Sequence, residues 1–315
     1  MPVFKIHHIT RYAYDRPVRE SMNEIRIFPF PTNEMEVLMH ELVITDQPEM
    51  HIFSDYWNNK TAVFNIKDPH QELSIESKMI VRTTAAGHQH LNFNTGKDAL
   101  EQEVGSQLQL LELTRADQIE SQSEIDQIVE KINQPWKSIA AIVQDCSQYI
   151  FQYFSYIKGI TDIETTVDEI LQHRSGVCQD FAHVMLQILR TLKIPSRYVS
   201  GYVCPNKNGM RGEGATHAWV EAWIPQHGWA GIDPTNNVWV TNTHIPLAVG
   251  RNFSDCSPVR GTFKGPAHQQ LTVYVSVGYE DGHVFEEMNS VKMQALPTVV
   301  PEEILVEGFA AQQQQ

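Results

Sequence analysis

The sequence predicts an α+β fold, and three observations carry that prediction. The first hundred residues read as short β-rich segments separated by turn residues. Apolar residues at helical spacing then run from about Ala116 to Leu192. Strict alternation follows in HAWVEAWI and again in WAGID. The expected layout is an antiparallel β-sandwich-like domain over residues 1–105, then a second domain over 106–290 in which a helix packs on an antiparallel sheet, then a C-terminal tail over 291–315.

In the first domain, FKIHHITRYAY, EIRIFPF, VLMHELVIT, HIFSDYW, TAVFNI and LSIESKMIVRTT are the expected strands. Their expected role is structural. His7, His8, His88 and His90 are the residues that could ligate a metal, but no third ligand stands at a recognisable spacing, so no metal is expected.

Residues 88–116 form a polar connection with leucines near 108–113, and a helical pattern starts at Ala116. Pro135 suits a first helical position. Ile139, Ile142, Val143, Cys146, Tyr149 and Ile150 then follow a three-to-four spacing, which puts Cys146 on an apolar face. An aromatic-rich stretch, Phe151 to Tyr156, ends near Gly159. Thr166 and Glu169 make a capping-box pattern ahead of Ile170 and Leu171. Arg174 to Val177 interrupt that helix.

Cys178 begins the next helix. Phe181, Val184, Met185, Ile188, Leu189 and Leu192 recur at helical spacing after it, so one face is buried. Cys178 thus falls in the first turn, where unpaired amide N–H groups and the positive end of the helix dipole favour a thiolate. Its own N–H could face an oxyanion. The competing reading of this stretch is an inert buried cysteine.

RYVSGYV reads as a strand ending at Cys204. The glycine-rich stretch Pro205 to Thr216 follows and would border whatever site His217 belongs to. In HAWVEAWI, His217, Trp219, Glu221 and Trp223 alternate with Ala218, Val220, Ala222 and Ile224. Ala230 and Ile232 alternate with Trp229, Gly231 and Asp233. A hairpin centred at Pro225 would pair Trp223 with His227, Glu221 with Trp229, Trp219 with Gly231 and His217 with Asp233, close enough for the carboxylate to reach the imidazole. Parity fixes the shared face but leaves the register open: a two-residue turn at Gln226 and His227 would move Asp233 away. Taken singly, His217 reads equally as a packed strand histidine and Asp233 as a turn aspartate before Pro234. Cysteine, histidine and aspartate in this order, on these elements, have the content of a thiol catalytic triad. Asp180, Gln179 and Glu221 are polar neighbours, and Asp180 suits the helix N-terminus. Trp219, Trp223, Trp229 and Trp239 suit a core or groove wall. LTVYVSVGY reads as a late strand, and the tail ends in low-complexity AAQQQQ.

Composition sets bounds on function. At 315 residues the chain can bury a large core. A net charge of −14 argues against nonspecific binding to nucleic acid or an anionic membrane. The four cysteines, Cys146, Cys178, Cys204 and Cys256, lack metal-type spacing, and their sparseness suits a reducing compartment. Neither a signal-peptide-like start nor a run of transmembrane length is visible, so cytoplasmic residence is expected. Phosphate-cradling, dinucleotide and HExxH motifs are absent, and no cofactor is expected. Nothing in the composition bears on oligomeric state.

GVCQDFAH, IPSRYVSGYV, HAWVEAW and GWAGIDPTN resemble the core of the bacterial transglutaminase-like superfamily, whose members are often described as cysteine proteases. HITRYAYDRPVRESMNEIRIFP and HIPLAVGRNFSDCSPVRGTF resemble flanking segments of the same group, so the resemblance spans about residues 3–280. It implies a papain-like α+β core with Cys178 as nucleophile, His217 as base and Asp233 as the group that orients it. Thr216 stands where serine is usual before the histidine, and GRNF where GRDY is common; neither touches these three residues. The superfamily includes crosslinking enzymes, peptidases, deamidases and inactive members, so the resemblance leaves the substrate open. The expected function is thiol-dependent acyl transfer on a peptide or protein amide, hydrolytic in outcome, as in a cysteine peptidase or amidase. A protein-glutamine transglutaminase or deamidase would use the same three residues. A noncatalytic binding protein on this fold is the remaining alternative, which loss of one of the three would have favoured.

Overall fold

The computed structural model describes residues 1–84, 91–162, 164–204, 210–211, 216–279 and 282, and the backbone of 284–293. His88, His90, most of the glycine-rich stretch before His217 and the tail beyond residue 293 lie outside the described residues.

The chain opens with β1 (Val3–Ile25), β2 (Met35–Ile44), β3 (Met50–Ser54), β4 (Lys60–Ile66) and β5 (His70–Thr83). Two of the expected strands are one: β1 runs through to Ile25, and EIRIFPF contributes only its first two residues. Even-numbered residues from Phe4 to Tyr14 are buried, as are alternate residues from Leu73 to Thr83, which gives each strand one core face. The first half of β1 lies between β5 and a later strand. Its second half pairs with β4, and the ladder with β5 breaks register between Ala13 and Val18. Pro17 sits in that break, where it removes no ladder donor. The two layers close over Phe4, Ile6, Ile25, Phe64, Leu73 and Ile75. This is the expected β-sandwich-like unit.

Short helices α1 (Lys97–Ser106) and α2 (Leu108–Glu112) occupy the connection read from sequence as merely polar. α3 (Gln122–Ile132) and α4 (Ile139–Tyr153) follow. Pro135 does not open α4, which starts later: Ser138 is the N-cap, its hydroxyl accepting from Ala141 N–H at 3.2 Å. Then come β6 (Ser155–Tyr156), α5 (Val167–His173), β7 (Ser175–Gly176) and α6 (Cys178–Thr191). The capping box at α5 forms as expected: Glu169 N–H donates to the Thr166 hydroxyl, and Thr166 N–H to the Glu169 carboxylate. α6 is buried on every side rather than on one face, because α3, α4 and α5 surround it opposite the sheet.

The sheet beneath α6 comprises β8 (Ser196–Val203), β9 (Thr216–Ile224), β10 (Gly228–Asp233), β11 (Val238–Trp239) and β12 (His244–Gly250), in the order β11-β10-β9-β8-β12. Ala218, Val220, Ala222 and Ile224 face the helices, while Tyr202, Cys204, Ile245 and Leu247 join the core of the sandwich. The sheet is therefore covered on both faces. Two buried polar contacts stitch the layers: the His8 ring meets the Tyr202 hydroxyl at 2.6 Å, and the Asn59 amide bonds both the N–H and the carbonyl of Val249.

The chain ends with α7 (Phe253–Cys256), β13 (Val259–Lys264), β14 (Gln269–Tyr279) and β15 (Val284–Met293). β13 and β14 pair with β1, and β15 pairs with β14. β13 and β14, expected with the second domain, thus join the first sheet; β14 buries Leu271, Val273, Val275 and Val277 against it. No helix of the described residues is long and apolar enough to cross a membrane.

Candidate active site

Cys178 is the first residue of α6 and is 3% exposed. The entry to the helix is built by Asp180. Its carboxylate accepts from Val177 N–H and from the Thr161 hydroxyl, each at 2.7 Å. Gly176 makes this possible: a Cβ there would lie 2.4 Å from Asp180 Oδ2. Burial raises the Asp180 pKa against the two hydrogen bonds that lower it. Asp180 serves the helix N-terminus, as its position suggests.

His217 is the second residue of β9 and is fully buried. Across the ladder it faces Gly201 of β8, where any side chain would strike the Ile245 carbonyl, 2.2 Å away, and the Trp219 ring.

The hairpin register differs from the expected one by two residues. Ile224 pairs with Gly228 and Gly231 with Glu221, so the turn is Pro225, Gln226 and His227, with Gln226 at φ +65°. Glu103 of α1 fixes this turn, accepting from the Trp223 indole at 2.6 Å and from Gln226 N–H at 3.0 Å. Continued, the register sets Asp233 opposite Trp219, diagonal to His217. The side chains meet nonetheless: His217 Nε2 is 2.8 Å from Asp233 Oδ2.

Asp233 is fully buried and held from several directions. Oδ1 accepts from Thr235 N–H at 2.9 Å, and Oδ2 accepts from the Asn236 amide at 2.7 Å. Asn236 also bonds both backbone groups of Arg211. His244 Nε2 is 3.5 Å from Oδ2.

Burial alone would lower the His217 pKa, but Asp233 and then Cys178 oppose it, and the balance holds the imidazole up at about 10. Burial alone would raise Asp233; His217 and His244 outweigh it and keep the carboxyl well below its ordinary range. With Nε2 bonded to Asp233, Nδ1 is the nitrogen left for the thiol. It makes no hydrogen bond of ordinary geometry. The structure bonds His217 to Asp233 and sets Cys178 at the head of α6, where it acts electrostatically on the His217 ring. Chemically the arrangement can hold a thiolate beside an imidazolium, with the carboxylate fixing the ring.

Residues 126–234 match the model of the Transglutaminase-like superfamily core, and residues 4–82 match that of the bacterial transglutaminase-like N-terminal region. An uncharacterised protein of Mycobacterium leprae is 30% identical over 278 residues, which cover 87% of this chain and 97% of that one. The chain belongs to the transglutaminase-like superfamily. A crystal structure of a candidate cysteine protease from Cytophaga hutchinsonii shares the fold, with a TM-score of 0.68, 20% identity and coverage of 97% of this chain and 96% of that one. A protein-glutamine gamma-glutamyltransferase of Pseudomonas aeruginosa is 32% identical over 118 residues, 36% of this chain and 18% of that protein.

Among the described residues, the others singled out in the sequence make no contact with His217 or Asp233 that the hydrogen bonds record. Glu221 pairs with Arg197 at 2.6 Å, and His7 with Glu76 at 2.6 Å. Gln179 is buried with its Oε1 unbonded. Among the described residues, no cluster of three or more His, Cys, Asp or Glu side chains could hold a metal. Sequence reasoning gave no role to Thr161, Asn236 or His244. Asn236 lies in the GIDPTN motif, three residues past Asp233; Thr161 and His244 carry no local signal, because strand and loop packing alone bring them to the site.

Proposed function

We propose that the protein catalyses thiol-dependent acyl transfer on peptide or protein amides, with Cys178 as nucleophile, His217 as acid and base, and Asp233 as the group that orients His217. The observation that carries this reading is one buried imidazole acted on by both Asp233 and Cys178, the latter at the head of α6. The thiolate attacks the amide carbonyl carbon, forming the C–S bond, and the oxyanion faces first-turn N–H groups of α6. His217 gives its proton to the leaving amine as the C–N bond breaks, and a thioester remains. Water, deprotonated by His217, then attacks the thioester and expels the thiolate, so the outcome is hydrolysis, as in a cysteine peptidase or amidase. The four cysteines, all free, support a reducing, cytoplasmic setting.

A second reading follows from the likeness to the Pseudomonas aeruginosa gamma-glutamyltransferase. There the acyl group would come from a glutamine side chain and the second nucleophile would be a lysine amine, or water in a deamidase. One experiment separates the two: incubation with glutamine- and lysine-containing peptides, with mass spectrometry of the Cys178 peptide and of the products. A thioester on Cys178 released as a shortened peptide acid supports hydrolysis. A glutamyl–lysine crosslink, or ammonia with a new glutamate, supports the second reading. Product formation by Cys178→Ala protein contradicts both.

A further inference from the structure

Two histidines face one oxygen of Asp233. His217 Nε2 lies 2.8 Å from Oδ2 and His244 Nε2 lies 3.5 Å from the same atom, with all three side chains buried. His244 is the first residue of β12, the strand that Gly201 admits close to β8. Its Nδ1 accepts from Thr241 N–H at 3.3 Å. A backbone N–H can only donate, so Nδ1 carries no proton and the ring proton sits on Nε2. The chain itself therefore fixes the tautomer that aims an N–H at Asp233. Among the described residues that buried nitrogen makes no hydrogen bond of ordinary geometry, and Asp233 Oδ2, 3.5 Å away, is the acceptor it approaches. A second proton on the ring would set two donors face to face at Nδ1. Burial works in the same direction, lowering the His244 pKa. The Trp219 ring meets His244 edge-on, with centroids 5.3 Å apart, and fixes its plane.

We propose that His244 is a positioning residue for acyl transfer: its Nε2, 3.5 Å from Oδ2, steadies the Asp233 oxygen on which His217 is held. The claim rests on the function proposed above. A neutral donor suits the task better than a cation. It favours the ionised carboxylate without cancelling the charge that stabilises the His217 imidazolium. It also confines Oδ2 between two strands, so the ring of His217 keeps Nδ1 turned to Cys178. Among the described residues, the titratable groups facing His217 are Asp233, Cys178 and His244.

The test uses the full chain and three substitutions. His244→Leu removes the donor. His244→Asn keeps an acceptor for Thr241 N–H but is too short to reach Asp233, and serves as well should the leucine variant fail to fold. His244→Gln keeps a neutral donor near the Nε2 position. The readouts are the NMR titration of His217 and the rate of Cys178 alkylation by iodoacetamide as a function of pH. The leucine and asparagine variants should shift the His217 titration down and the acid limb of alkylation up, each by about one pH unit, with glutamine recovering most of both. Wild-type profiles in folded leucine or asparagine protein would overturn the proposal. His217→Ala separates the two claims. If it leaves Cys178 alkylation unchanged, the acyl-transfer reading itself fails. If it abolishes fast alkylation while the His244 variants shift nothing, only the positioning claim fails.

Discussion

His217 and Asp233 bond at 2.8 Å without facing each other across the ladder. The observed register sets Asp233 diagonal to His217, and a diagonal pair is within reach of long side chains. The diagonal leaves Oδ2 open on its other side, where the Asn236 amide and His244 approach. Among the described residues, the hydrogen bonds Asp233 makes come from His217, Thr235 N–H and the Asn236 amide, which defines its chemistry.

Replacing that carboxylate by an amide sets a donor against donors. In Asp233→Asn, an NH2 group must face either Thr235 N–H or the Asn236 amide, and it permits the wrong His217 tautomer. Stability should fall by about 1–3 kcal/mol, from the mispaired buried group. Turnover should fall by less than the roughly 10⁴ seen for the matching change in a serine triad, because a thiolate–imidazolium pair depends less on its third member. Thermal unfolding and turnover of a peptide amide found by screening would check both.

The pH dependence of stability has a definite sign on each side. His217 is raised from its ordinary 6.5 to about 10, so its contribution is complete below pH 6.5 and is lost as pH rises through about 10. Asp233 is lowered from 3.8, so its contribution is complete above that value and is lost as pH falls through its lowered pKa. Wild-type stability relative to a His217→Gln/Asp233→Asn double variant should thus be greatest between about pH 4 and 6.5. Denaturant unfolding across the pH range would measure it. A difference that rises steadily to pH 10 would be the wrong sign.

Gly176→Ala tests the entry to α6. The added methyl would lie 2.4 Å from Asp180 Oδ2 and must displace the carboxylate from Val177 N–H and Thr161. The expected cost is about 1–3 kcal/mol, as for other overpacked interiors. Iodoacetamide labelling of Cys178 should also slow, since the helix start that holds the thiol has moved. Unchanged thermal unfolding would mean that Asp180 does not build this turn.

The site was legible in the sequence where chemistry and local periodicity coincide. Cys178 could be assigned to a helix start because a helical pattern follows it. His217 could be assigned to a strand because the tryptophans alternate with small residues. The hairpin register was not legible, because it is set by Glu103, more than a hundred residues upstream on a helix whose own pattern is weak. The return of β13 and β14 to β1 was hidden for the same reason: alternation identifies a strand but not its partner. Nor could the burial of α6 on all sides be read from one helix, since three neighbouring helices supply the cover. His244 was invisible because it comes near Asp233 only through the pairing of β12 with β8, which alternation in the sequence does not reveal.

The most direct test of the account is a brief iodoacetamide pulse at pH 6, read by mass spectrometry at all four cysteines. Burial pushes the Cys146, Cys204 and Cys256 thiols well up, so they should stay protonated and unlabelled in folded protein. Cys178, beside a histidine that stays protonated to about pH 10, should be labelled at least about tenfold faster than any of them, and His217→Ala should erase the difference. Labelling of Cys178 no faster than that of the other three, with its peptide recovered intact, would contradict a thiolate nucleophile at the head of α6.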